Sequence, residues 1–149
     1  MNRHRQITAF YIETLVLILV FVSIILVLTG VFSLSKRDSR EARRLTNAVT
    51  LSQSAAEAVS ASGSEDELFA LLDRGGNAVR MTGASGVTAF YDTDMRPDPQ
   101  GALRVEVTWQ PEMTGTGTIV RSVILARYSG EEEPVYRLET AVLLGEVSP

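Results

Sequence analysis

Few residues in this chain have the types and spacing that catalysis requires. The only histidine, His4, lies in a short basic N-terminal segment, so neither a Ser-His-Asp triad nor a histidine-based metal site can be assembled around it. The chain has no cysteine, which excludes thiolate chemistry and disulfide bonds. We therefore expect a protein that is not an enzyme and that holds no cofactor or metal ion.

Two acidic clusters are better explained by structure than by paired-carboxylate chemistry. The acidic residues at 65–67 precede an apolar run. Ser64 and Glu67 match a capping box, in which each side chain accepts a hydrogen bond from a backbone N–H at a helix start. The glutamates at 131–133 lie in a turn, where a solvated run of charge is the usual arrangement. Both clusters are predicted to have no ligand.

Two loops have residues that could bind an ion or a phosphate. Asp92, Asp94 and Asp98 could place several carboxylate oxygens together, but the loop lacks the mid-loop glycine and the distal glutamate of an EF-hand. The glycine-rich stretch GGNAVRMTGASG, residues 75–86, has no Gly-Lys-Ser/Thr of a phosphate-binding loop. We interpret the first as a polar surface loop and the second as a flexible connection.

Glu13 is the ionisable residue whose position most needs an explanation. It lies near the start of the apolar run ITAFYIETLVLILVFVSIILVLTG, residues 7–30, and is followed by 22 uncharged residues at 14–35. A helix of that length spans about 33 Å, enough to cross the hydrocarbon core of a bilayer. A carboxylate near the end of such a helix either snorkels to the membrane interface or pairs with a cation at the same depth.

The apolar run divides the chain into four segments. Residues 1–8 form a short basic leader or cytoplasmic tail, residues 9–35 a transmembrane helix, residues 36–62 an amphipathic extension of that helix, and residues 63–149 a small globular α+β head. The run is longer than the roughly 7–15 apolar residues of a secretory signal. We therefore interpret it as a retained single-pass anchor in the lipid bilayer.

The charges around the apolar run leave its orientation open. Its N-terminal side has two arginines, and its other side has five basic residues: Lys36, Arg37, Arg40, Arg43 and Arg44. The positive-inside rule alone would place the larger segment in the cytoplasm, although long domains can be translocated despite flanking charge. From Leu45 onward there are seven arginines and fifteen acidic residues, a formal charge of −8, which argues against nucleic acid as a partner.

Helix-forming residues continue beyond the apolar run. Residues 36–61 contain neither proline nor glycine, and we predict one helix over residues 9–61. Its amphipathic half has one weakly apolar stripe at three- and four-residue steps: Leu45, Val49, Ser52, Ala56 and Val59.

A second, shorter helix is predicted after Ser64. Leu68, Leu71 and Leu72 would form its buried edge. Gly75 would stop it, because glycine adopts the left-handed conformation that commonly ends a helix.

Beyond residue 86 the apolar period changes to two. Four strands are predicted, over residues 87–92, 103–109, 118–128 and 135–144. Short connections between them favour an antiparallel meander. Its apolar face must be covered, and the long helix offers the nearest apolar surface. The predicted fold class is therefore α+β, with a long helix whose amphipathic half packs on a four-stranded antiparallel sheet.

The N-terminal pattern resembles that of the type IV pilins and pseudopilins. The stretch AFYIETLVLILVFVSIILVLTGVF has an aromatic and aliphatic start, a glutamate and about twenty apolar residues, after a short basic leader. With Ala9 as the first mature residue, Glu13 occupies the fifth position, where the family has its glutamate. The predicted order of long helix, connecting region and four-stranded meander is also similar to that of a pilin.

This resemblance implies a processing step and an assembly contact. A prepilin peptidase would cleave between Thr8 and Ala9, and Thr8 stands where the family usually has glycine. Cleavage after Ala9 instead would make Phe10 the first residue and Glu13 the fourth. In the family's assembly the glutamate, here Glu13, neutralises the freed amine of a neighbouring subunit. The head would then be extracytoplasmic, against the count of basic residues.

From this resemblance we expect a structural subunit, a minor pilin or pseudopilin, of a type IV pilus-like or type II secretion-like filament at the cell surface. Its partners would be the lipid bilayer, other pilin-like subunits, a prepilin peptidase and an assembly platform protein. The alternative is a single-pass anchored protein whose extracytoplasmic head binds a partner without polymerising.

Overall fold

The computed structural model of the chain describes residues 2–115 and 117–145, with side chains from Phe10 onward except those of Ser33 and Leu34. The chain divides into two compact units, Met1–Ala42 and Arg43–Pro149. The first is helical, and the second contains the end of the same helix, a short helix and an antiparallel sheet. The chain is therefore α+β with one long N-terminal helix.

The elements are, in chain order, α1 (Asn2–Ala61), α2 (Glu65–Leu72), β1 (Ala78–Arg80), β2 (Gly86–Tyr91), β3 (Leu103–Thr108), β4 (Gln110–Thr114), β5 (Gly117–Tyr128) and β6 (Tyr136–Leu144). The helix predicted over residues 9–61 is confirmed, and it begins earlier, at Asn2. It contains no proline, and Gly30 is its only glycine. A single glycine costs roughly 1 kcal/mol relative to alanine, and α1 passes through Gly30 without a break.

Small side chains dominate the face of α1 that packs in the core of the second unit. The buried apolar and hydroxyl residues recur at helical spacing: Ala48, Leu51, Ser52, Ala55 and Val59. The predicted stripe is correct at Ser52 and Val59 but wrong at Leu45, which is 46% exposed. Its other two members, Val49 and Ala56, are half-buried. The stripe omitted Ala48, Leu51 and Ala55, which lie one residue from predicted positions on the buried face.

The short helix α2 begins with the predicted capping interactions. Ser64 Oγ accepts a hydrogen bond from Glu67 N–H at 3.2 Å. The Glu67 carboxylate accepts one from Gly63 N–H at 2.7 Å, one residue before the Ser64 N–H of the standard box. The cluster at 65–67 therefore stabilises a helix start, as its position in the sequence indicates.

The end of α2 differs from the prediction. Leu68 and Leu72 are buried, but Leu71 is 43% exposed. The helix ends at Leu72, where Asp73 N–H donates to the carbonyl four residues earlier at 2.8 Å. Gly75 has a φ of 105° but lies beyond this end. Asp73 rather than Gly75 thus caps the helix.

The sheet has six strands, so the prediction of four was wrong in number. The predicted four correspond to β2, β3, β5 and β6, and they pair in that order as an antiparallel meander. β5 is central, because it pairs with β3 and β4 along one edge and with β6 along the other. One face of the meander, including Leu103, Val105, Val107, Trp109 and Ile124, is buried in the core with α1 and α2.

The strand β1 lies inside the glycine-rich stretch 75–86 that was interpreted as a flexible connection. It pairs with β2, and the residue before it, Asn77, is 1% exposed. Asn77 Oδ1 accepts from Arg74 N–H at 2.7 Å, and its Nδ2 donates to Phe90 O at 3.1 Å. The buried side-chain amide of Asn77 therefore makes its hydrogen bonds with the backbone and fixes the position of this segment, although the glycine-rich composition of the stretch suggests an irregular loop.

The strand β4 (Gln110–Thr114) continues β3 in the same register against β5. β3 ends at Thr108 and β4 begins at Gln110, so only Trp109 lies between the two strands. At the end of β3, Thr108 Oγ1 accepts a hydrogen bond from Val123 N–H at 2.8 Å. All five residues of β4 are exposed, and Pro111, which has no N–H, is tolerated because the strand is an edge. The alternation of apolar residues ends at Trp109, so the sequence pattern did not predict β4.

Gly101 is, like Gly86, a position in the head where an added side chain would collide with the backbone of a neighbouring strand. A Cβ there would lie 2.2 Å from Tyr91 O, whereas a Cβ at Gly115 would meet nothing within 4 Å. We expect Gly101→Ala to lower the free energy of unfolding by about 1–3 kcal/mol, as overpacking does, and Gly115→Ala to change it by less than about 0.5 kcal/mol. Thermal unfolding of the full chain in detergent, followed by near-ultraviolet circular dichroism, measures both; equal midpoints would contradict the close approach.

Candidate functional site

The N-terminal unit exposes an unbroken apolar surface. Every large apolar side chain between Phe10 and Phe32 is 46–68% exposed. A helix that is apolar all round must be covered by lipid or by other protein. In α1 this stretch is long and apolar enough to cross a membrane, and none of it is buried within the described part of the chain.

The hydroxyl groups inside this stretch are already satisfied. Thr14, Ser23 and Thr29 each donate to the backbone carbonyl four residues earlier, at 2.8–2.9 Å. Such bonds let a hydroxyl reside in an apolar environment without a partner from outside the helix. These three residues therefore need no further contact to explain them.

Glu13 differs from the three hydroxyls. Its side chain is exposed, and among the described residues its carboxylate makes neither a hydrogen bond nor an ion pair. On its C-terminal side the nearest basic residue is Lys36, about 35 Å away along the helix axis. On its N-terminal side Arg5 is eight residues earlier, beyond the three- and four-residue neighbours that share a helix face. Within the described side chains, the carboxylate thus has no partner on its own face of the helix.

The predicted processing residues lie one helical turn before Glu13. The backbone of Thr8 and Ala9 is helical, and Ala9 is four residues from Glu13, which places the two on one face. The side chains of Thr8 and Ala9 lie outside the described ones. Phe10 is 68% exposed, and its ring meets that of Tyr11 edge to face at 6.4 Å. The helix therefore brings together the residues that the resemblance singles out.

The carboxylates of the α2 cluster make structural contacts within the head. The Glu65 carboxylate accepts hydrogen bonds from Ser85 Oγ–H and, at 3.0 Å, from Gly86 N–H. Asp66 forms an ion pair with Arg80. These contacts tie the start of α2 to the turn between β1 and β2, and they account for both carboxylates without a ligand.

The aspartates of the loop at 92–98 form local turns. Asp92 Oδ1 accepts from the N–H groups of Asp94 and Arg96, both at 2.8 Å. Asp98 Oδ1 accepts from Gln100 N–H at 2.9 Å. These side chains hold their own backbone, as aspartates in turns commonly do. Within the described ranges, no group of three His, Cys, Asp or Glu side chains could hold a metal ion.

Arg44 has a role that the sequence pattern did not reveal. Its guanidinium lies 4.1 Å from the centre of the Tyr128 ring and pairs with Glu131, while Tyr128 Oη donates to Arg44 O at 3.3 Å. The hydrogen bond with Glu131 is the main cause that raises the pKa of Arg44, and burial raises the pKa of Tyr128. Arg44 thus stays charged and Tyr128 stays protonated. The partners are more than eighty residues apart in sequence, which is why no local signal indicates them.

The described part of the head has a partly apolar groove on its surface. A groove beyond the C-terminal end of α1 is lined by Gly63, Trp109, Pro111, Met113 and Leu144. Trp109 is 5% exposed, whereas Met113 is 92% exposed. The groove thus offers an apolar floor beside an exposed edge strand.

The fold and the site define a class of protein: an α+β head that follows a long apolar helix, whose Glu13 carboxylate has no partner among the described residues. No protein-family model, curated protein or solved structure matches this chain. What Glu13 does must therefore be argued from the helix itself.

The exposed helix surface predicts where an added thiol can be labelled. Because the chain has no cysteine, Leu26→Cys and Gln53→Cys each create a single thiol on an exposed position of α1. In membrane fragments whose two faces are both accessible, we expect a membrane-impermeant maleimide to label Gln53→Cys and not Leu26→Cys. The reason is that a thiol buried in hydrocarbon does not ionise to the reactive thiolate. Dissolving the membrane in a denaturing detergent should allow both to react. Equal labelling before that step would contradict burial of the helix in lipid.

Proposed function

We propose that this chain is a membrane-anchored structural subunit that assembles with other pilin-like subunits into a type IV pilus-like or type II secretion-like filament. One observation carries the proposal: among the described residues the Glu13 carboxylate has no partner, and the large apolar side chains around it, from Phe10 to Phe32, are all exposed. Packing against the helices of other subunits would cover those side chains and supply a cation to the carboxylate. One kind of partner, another copy of such a helix, would therefore cover the apolar side chains and also pair with the carboxylate.

The energetics favour a cation from another chain. A charge at the centre of a membrane helix costs roughly 2.5–3.5 kcal/mol, and less near an end. Ionisable residues in such segments usually pair with one another or face a bundle interior. The amine at the first residue of a neighbouring processed subunit would be such a cation. Contact between Glu13 and that amine would also fix the axial position of one subunit against the next.

The order of the N-terminal residues supports the same proposal. Cleavage after Thr8 by a prepilin peptidase would leave the amine on Ala9, and cleavage after Ala9 would leave it on Phe10. An assembly platform protein would then draw the processed subunit from the membrane, with its head on the extracytoplasmic side. In this proposal the protein has no catalytic activity of its own.

Processing can be tested directly at the N-terminus. We expect the mature protein, purified from a host that contains a prepilin peptidase, to begin at Ala9 or Phe10. Intact-mass and N-terminal peptide mass spectrometry distinguish these products from the full chain. An N-terminus that still contains Met1 in that host would contradict the processing step.

Assembly can be tested with a charge-neutral variant of Glu13. Glu13→Gln keeps the size of the side chain and removes its charge, and loss of one partner from a buried ion pair costs about 3–5 kcal/mol. We expect co-purification of tagged with untagged copies to fall at least tenfold in this variant. Glu57→Gln is the matched control, because Glu57 is an exposed glutamate on the same helix. Normal assembly of Glu13→Gln would instead support a carboxylate that snorkels to the interface.

The apolar groove of the head favours a second candidate, a non-polymerising anchored protein whose head binds a partner. Its exposed Met113 suits a binding surface because methionine side chains adapt their shape. This candidate predicts an intact N-terminus, no association between copies, and loss of partner binding in Met113→Glu. The filament subunit predicts the reverse for the first two measurements, so the same experiments separate the candidates.

A further inference from the structure

Four basic residues follow the uncharged run of α1 without an ion pair in the described structure: Lys36, Arg37, Arg40 and Arg43. The three that belong to the first compact unit, Lys36, Arg37 and Arg40, are here named the basic collar. Their side chains are exposed. Among the described residues none of them makes an ion pair. Arg44, four residues beyond the collar, differs because it pairs with Glu131. The collar is therefore a group of cations whose counter-charge does not come from the fold.

The collar occupies one side of the helix. At about 100° per residue, its three positions fall within an arc of about 100°, and Asp38 and Glu41 lie outside that arc. Lys36 and Arg40 are four residues apart, a spacing at which like charges repel and destabilise a helix. Glu41 follows Arg37 at the same spacing, yet no ion pair joins them in the described structure. The fold thus leaves this repulsion uncompensated.

The depth of the collar along the helix matches the headgroup layer of a bilayer. Lys36 is the first charged residue after the uncharged run. From Lys36 to Arg40 the helix rises about 6 Å, and the polar layer on each side of a hydrocarbon core is about 5–7 Å thick. If the uncharged run crosses the core, all three cations lie where lipid phosphates lie.

We propose that the basic collar binds the headgroups of anionic phospholipids. The guanidinium groups of Arg37 and Arg40 present paired N–H donors that match phosphate oxygens, and Lys36 adds a point charge. Binding supplies the missing counter-charge and holds the end of the helix at a fixed depth. The proposal needs α1 to cross a bilayer but does not depend on Glu13, which lies at the other end of the apolar run, or on filament assembly.

The test measures which lipids surround the full chain in a membrane. The protein is reconstituted in phosphatidylcholine vesicles with either spin-labelled phosphatidylglycerol or spin-labelled phosphatidylcholine, and the fraction of motionally restricted label is measured. A basic residue near an anionic surface contributes about fivefold in affinity. We expect the chain to prefer phosphatidylglycerol at least fivefold. We expect K36Q/R37Q/R40Q to lose that preference, and its glutamines keep good helix formers at all three positions.

The control is the double variant R74Q/R96Q, because Arg74 and Arg96 are exposed head arginines that make no ion pair in the described structure. It should keep the lipid preference, and so should Glu13→Gln. An unchanged preference in the collar variant, or an equal loss in R74Q/R96Q, would overturn the proposal. Inorganic phosphate added at constant ionic strength should not compete. If it abolishes the preference, the collar binds free phosphate and the lipid assignment is wrong.

Discussion

The rest of this structure depends on one constraint: an apolar helix surface that nothing in the described chain covers. Between Phe10 and Phe32 the large side chains are exposed on all sides of α1, and the hydroxyls among them bond back to their own helix. A bilayer can cover such a surface without any specificity. Glu13 is the only charged residue between Phe10 and Phe32. In the proposed assembly, its ion pair would add a specific contact to this otherwise unspecific surface.

The head is held to the end of α1 by a few polar contacts in addition to the shared hydrophobic core. Arg44 stacks on Tyr128, and Asn47 Nδ2 donates to Thr93 O at 2.8 Å. Asn47 is 8% exposed, although polar residues of an amphipathic helix usually face solvent. Neighbouring basic residues on α1 thus have different roles. Arg44 belongs to the head, whereas the basic collar before it has no counter-charge within the fold.

Periodicity in the sequence predicted the elements whose burial alternates regularly. Leu103, Val105 and Val107 face the core on one strand, as their spacing of two indicates, and the long helix follows from its composition. The pattern failed where burial does not follow hydrophobicity. β4 is wholly exposed and contains Pro111, β1 follows a buried Asn77, and α1 packs through alanine and serine. In each case a tertiary contact, absent from any local window, decides the structure.

The candidate site was predictable as far as Glu13 and no further. An ionisable residue at the edge of an uncharged run can be recognised in the sequence, and its helical environment and exposure agree with that position. The contacts of Arg44, Tyr128 and Glu131 were not predictable, because they join segments that are distant in sequence and have no shared motif. In the proposed filament, the contact of this carboxylate would be a property of the assembly rather than of one chain.

Solid-state nuclear magnetic resonance of mixed assemblies measures that contact most directly. Copies labelled with ¹³C-glutamate are co-assembled with copies labelled with ¹⁵N at the first mature residue, so any carbon–nitrogen coupling at the amine arises between chains. An ion pair between Glu13 and that amine predicts a coupling that corresponds to a separation of about 4 Å or less. An assembled sample in which the amine shows no coupling to any glutamate carboxyl would contradict the account.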